Sequence, residues 1–141
     1  MASQFYNSAK KKLVDGSIDL DTDTIKVALL TSSYTPNIDS DDFFDDVSAY
    51  EVSSSGYSAG GSALANKSVT QDNTNDLAKF SADDVTWSAV TFTARYAVIY
   101  KSTGTAATSA LIAVIDLLVN KSFSAEDATL TWSANGILTF A

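Results

Sequence analysis

Between residues 4 and 15, Phe5, Ala9 and Leu13 recur at helical spacing with Tyr6 and Val14 beside them, and Lys10, Lys11 and Lys12 occupy the remaining face. Gly16 follows as a C-terminal stop, so the pattern predicts one short amphipathic helix. Beyond it the period shortens to two. Residues 25–31 are apolar on both sides of the alternation, which suits a strand buried on both faces near a sheet centre. Residues 85–92 put Val85 and Trp87 on one face, while 94–100 and 110–119 are apolar at nearly every position and form the predicted core. A further strand is predicted at about 62–70, and another at 129–140, interrupted by Asn135 and Gly136, a hairpin or bulge signal.

The polar stretches fit between these strands. In residues 39–46 five aspartates surround Phe43 and Phe44, which predicts a short helical turn, capped by Asp39 or Ser40, that folds Phe43, Phe44 and Val47 inward. Residues 53–61, rich in Ser and Gly, read as a loop, and 71–76 as a polar turn. Residues 80–89 and 123–134 echo each other, each an acidic turn feeding a strand with a buried Trp, and are expected to pair within one sheet. Short strands with turn signals and one helix predict a mainly β fold, an antiparallel β-sandwich with a short N-terminal helix, as a single domain over 1–141.

Composition narrows the chemistry. With 9 Lys plus Arg against 17 Asp plus Glu, the chain carries a formal charge of -8, so neither nucleic acid nor an anionic membrane surface is an expected partner. It has no His and no Cys, which removes Ser-His-Asp and Cys-His nucleophilic sites, imidazole or thiolate metal sites, and disulfides. About a quarter of the residues are Ser or Thr, suited to strands and turns. No apolar run reaches the roughly 20 residues that cross a bilayer, and Phe5 and Tyr6 run directly into Asn7, Ser8 and the lysines rather than a leader-type apolar core. Synthesis in a reducing cytoplasm is consistent with the absence of Cys.

Each candidate site has a plainer reading beside it. Asp19, Asp21 and Asp23 alternate like a calcium loop, but Thr24 and Leu30 stand where an EF-hand needs Gly and Glu, and a solvated acidic edge accounts for them. Gly56, Gly60 and Gly61 lack the Lys-Ser or Lys-Thr ending of a phosphate loop. No catalytic, cofactor or metal residues are assigned, and the chain is not expected to be an enzyme. The lysine triplet either complements the helix dipole or meets an acidic partner. Tyr34, Tyr50 and Tyr57 fall at predicted loops and are candidates for exposed contacts. Leu117, Leu118 and Val119 extend a strand beyond its needs and are either core or an apolar end against a neighbouring subunit.

Three stretches carry a resemblance. The run of Lys10, Lys11, Lys12 and Leu13, the turn of Gly16, Ile18 and Asp19, and the strand Asp23, Thr24, Ile25, Lys26, Val27 resemble the opening of a family of small tailed-bacteriophage virion proteins. Tyr57, Gly61, Leu64 and Lys67 follow in order. Ala97, Val98, Ile99, Tyr100, Lys101 with Thr103 and Gly104, then Leu111, Ile112, Ala113, Ile115 and Asp116, are similar to its central hairpin. The resemblance implies a structural part of a virion made in the bacterial cytoplasm. The leading expectation is a capsid decoration or cement protein on the head exterior, a homo-oligomer with a trimer favoured, its partner the major capsid protein or another virion protein. The alternative is a tail, neck or fibre component, binding host-surface glycan through loop tyrosines. The residues expected at the partner interface are Phe5, Tyr6, Lys10, Lys11, Lys12, Tyr34, Tyr50, Tyr57, Leu117 and Leu118.

Overall fold

A computed structural model describes residues 2–141. The strands are β1 (Ala2–Phe5), β2 (Ile25–Leu30), β3 (Ser62–Ala63), β4 (Ser68–Asp72), β5 (Leu77–Ser81), β6 (Val85–Lys101), β7 (Leu111–Leu130) and β8 (Leu138–Phe140), with helix α1 (Asn7–Val14) after β1. They form a five-stranded sheet of order β1-β7-β6-β2-β3 and a three-stranded sheet of order β4-β5-β8. Every strand pairing described is antiparallel. The expected mainly β, two-sheet antiparallel fold with one helix is what the chain adopts.

The core follows the uninterrupted apolar runs. Residues 97–100 of β6 and 111–115 of β7 are buried on both faces, as are Val27 to Leu30 of β2 beside them. Ile99, Leu111 and Ile112 have no exposed surface, and each such side chain contributes roughly 1.5–3 kcal/mol by leaving water. α1 lies against β7 through Ala9. The Phe5 ring sits 4.9 Å from that of Phe140, joining the edge of the large sheet to the small one.

Several boundaries differ from expectation. The helix starts at Asn7, not near residue 4, because Tyr6 is extended (φ -67°, ψ 143°) and Ala2–Phe5 pairs with β7 from Asp116 to Ala113. Sheet partners for those amides outweigh a helical periodicity that Phe5 satisfies on paper. The two strands expected at 85–92 and 94–100 are one strand of 17 residues, and the one expected at 110–119 runs on to Leu130. Register shifts absorb the irregularities. The strand expected at 62–70 breaks into β3 and β4, with Asn66 left-handed between them (φ 52°).

Asn135 and Gly136 make a tight turn, Gly136 N–H donating to the Ser133 carbonyl at 2.9 Å, but no hairpin: β7 before it and β8 after it belong to different sheets. The echoed segments do pair, with Thr86 opposite Thr129 and Trp87 opposite Ala128. Trp87 is buried, whereas Trp132 is only half-buried. Phe44 and Val47 fold inward as the acidic turn requires, whereas Phe43, expected with them, is only half-buried. The Asp46 carboxylate, not Asp39 or Ser40, caps the start of that turn, accepting from Asp42 N (2.8 Å) and Phe43 N (3.1 Å).

Candidate interaction surface

The residues expected at a partner interface separate into buried and displayed groups. Tyr6 is fully buried, and its hydroxyl lies 2.9 Å from that of buried Tyr34, which donates to Asp41 Oδ2 at 2.7 Å. Tyr57 is buried too: its hydroxyl donates to Glu51 Oε2 at 2.7 Å and accepts from Leu29 N–H at 2.9 Å. Burial raises the proton affinity of all three phenols. The exposed loop tyrosines anticipated at 34 and 57 are therefore core residues with internally paired hydroxyls, and Tyr6 offers no surface. Tyr50 alone of that loop set is exposed, packed against the Tyr34 ring. Phe5 is half-buried in β1.

The lysine triplet also has internal partners. Lys11 pairs with Asp15 at 2.9 Å, Lys12 lies 4.3 Å from the centroid of the Phe43 ring, and Lys10 donates to Asn7 Oδ1 at 3.1 Å. Asp19, Asp21 and Asp23 form a turn rather than an extended edge: Asp23 Oδ2 accepts from Asp19 N at 2.8 Å and pairs with Lys101 at 3.1 Å. Among the described residues no group of three or more His, Cys, Asp or Glu side chains is placed to hold a metal ion.

Leu117, Leu118 and Val119 differ from the rest. Ala94 of β6 stands opposite Lys121 and Tyr96 opposite Asp116, so Arg95 alone faces the four residues 117–120 of β7. The excess chain bulges out. Leu118 takes φ 72°, a left-handed conformation that costs a branched side chain about 1–2 kcal/mol. Asp116 fixes the bulge: Oδ1 accepts from Arg95 Nε and from Leu118 N, both at 2.8 Å, and Oδ2 accepts from Arg95 Nη2 at 3.3 Å. Leu117 turns inward, while Leu118 and Val119 stand 57% and 55% exposed. A strained, hydrogen-bonded loop that holds two apolar side chains in water is a displayed knob. A register slip this size depends on pairing across 21 residues, so the apolar triplet hinted at it without revealing which member is exposed.

A second apolar surface lies elsewhere. The end of α1 and the small sheet border a shallow, open groove of about 430 Å3 lined by Leu13, Ile18, Leu20, Val69, Ala78 and Phe140. Asp19 and Asp21 stand on its rim, where contact between their carboxyls raises the proton affinity of Asp21 and lowers that of Asp19. A third depression, about 410 Å3, has Lys26, Phe44, Glu51 and Tyr100 in its walls. Burial pushes the Glu51 carboxyl up, against hydrogen bonds from Tyr57 and Gly60 N (2.8 Å to Oε2) that hold it down. Both of its oxygens serve to clamp residues 51–61 onto β2.

The fold and these surfaces define an antiparallel two-sheet β protein that displays an apolar knob and an acid-rimmed apolar groove. Comparison of the chain with protein-family models, curated proteins and solved structures finds no match.

Proposed function

We propose that this chain is a structural component of a tailed-bacteriophage virion, foremost a decoration protein that binds the outside of the assembled head and stabilises it. The observation that carries this reading is the knob of Leu118 and Val119, held in water by a strained bulge and an Arg95–Asp116 clamp. Backbone strain of this kind persists where surrounding structure enforces it, and its use here is contact with another protein. The sequence likeness to small virion proteins supplies the setting. Binding only to the assembled lattice stabilises that lattice by mass action, and long paired strands of 17 and 20 residues suit a mechanical part. At -8 per copy, neighbouring subunits repel, so their contacts rest on apolar surface.

Mass-spectrometric stoichiometry of intact particles tests the proposal. Hundreds of copies per particle are expected for a head protein. A dozen or fewer would transfer the chain to the tail or neck, and absence from mature particles would refute the virion role. Deleting residues 1–12 is not a clean test of the α1 surface, because it removes β1 and the buried Tyr6.

A further inference from the structure

We propose that the knob of Leu118 and Val119 on one copy seats in the apolar groove beside the end of α1 on a second copy, so that copies of this chain join head to tail. The inference rests on the reading of the chain as an assembly protein and names the partner of its displayed surface. Knob and groove share no residues, so each copy carries both halves of the contact. Their chemistry matches in two respects. Two aliphatic side chains in water meet a groove lined by Val69, itself 45% exposed, and by half-buried Leu13, Ala78 and Phe140, with buried Ile18 and Leu20 at its floor.

The charges around the two surfaces are opposite as well. Exposed Lys121, two residues beyond Val119, has no ion-pair partner among the described residues; neither does Asp19 on the groove rim, and Asp21 beside it feels the Lys67 charge without forming an ion pair. Facing these groups across the contact sets a cation against two carboxyls that already crowd each other, which fixes orientation as well as attraction. A contact between two different patches closes into a ring when its rotation permits, in keeping with a cyclic oligomer.

Two surface variants test this in purified full-length protein by light scattering and sedimentation. Leu118→Asn removes one of the knob's two apolar side chains and keeps a residue that accepts positive φ, and Val69→Lys puts a cation in the groove wall to oppose Lys121. The wild type is expected to form species larger than a dimer, and each variant alone to associate about tenfold or more weakly. Mixed in equal amounts, the variants are expected to form a one-to-one pair that grows no further, since each supplies one intact half. Near-ultraviolet circular dichroism matching the wild type confirms folding of both.

A mixture that stays monomeric, or variants that assemble like the wild type, would overturn the contact. Monomeric wild-type protein that still fills its places on particles overturns the self-contact and leaves the virion role intact. Protein that assembles through knob and groove yet is absent from particles supports the contact and removes that role.

Discussion

Tyr34 is the middle of a buried chain in which its hydroxyl meets that of Tyr6 on one side and Asp41 on the other. Tyr34→Phe keeps the ring that packs against Tyr50 and Tyr96 but leaves the Tyr6 hydroxyl without its partner. The expected loss is about 1–3 kcal/mol, the cost of stranding a buried polar group, read from chemical denaturation. Adding Tyr6→Phe removes the stranded group, so the double variant should lose less than the sum of the two single variants. An additive pair would mean the hydroxyls do not act together. Such pairs are where the sequence is least informative. A tyrosine among Ser, Thr and Pro reads as surface, and only the fold brings Tyr6, 28 residues away, within reach of Tyr34.

At the scale of elements, the strand that enters the large sheet from the Ser- and Gly-rich loop depends on close backbone contact. Gly61 has φ 78°, and a Cβ there would meet the Val27 carbonyl and Ala28 Cα of β2 directly. Gly104, at φ 88°, has open space around it. Gly61→Ala should therefore cost about 3 kcal/mol or more, and Gly104→Ala about 1–2 kcal/mol from backbone strain alone. Thermal unfolding of the two variants checks the difference; equal losses would mean that β2 yields easily at Val27. Elements with continuous apolar runs were legible in the sequence: β2, the central stretches of β6 and β7, and the inward turn of Phe44 and Val47. β1 and β5 were not. Within Leu77–Ser81 only Phe80 is fully buried, and Ala2–Phe5 is short and mostly exposed, so tertiary pairing, not local pattern, makes these strands. The knob was legible only as an unexplained apolar surplus, since its exposure is set by the register between β6 and β7.

For the whole molecule, charge sets the response to pH, and the buried and surface carboxyls pull in opposite directions. Glu51 binds its proton more tightly folded than unfolded, where its ordinary value is 4.5, so holding it ionised is a cost present at neutral pH. That cost fades as pH falls toward 4.5, while approach to the isoelectric point near 4.2 relieves the repulsion of a chain at -8. Asp15 behaves the opposite way. Hydrogen bonds from Ser17 and then Lys11 lower it to about 2, so its contribution, small at an exposed pair, survives to pH 4 and is lost only below. Asn75 and Lys79 lower Asp72, and Arg95 with the Leu118 amide lowers Asp116, in the same direction. Stability should therefore rise from pH 7 to about 4.5 and decline modestly toward pH 2 as these exposed carboxyls take up protons. Glu51→Gln separates the local cause from the global one. The variant should match or exceed the wild-type melting temperature at pH 7, and that advantage should shrink as pH falls toward 4.5, because the wild type takes up its proton on the way. A deficit for the variant at pH 7 that vanishes in acid would reverse the sign, and would mean that the hydrogen bonds from Tyr57 and Gly60 outweigh the burial of the charge.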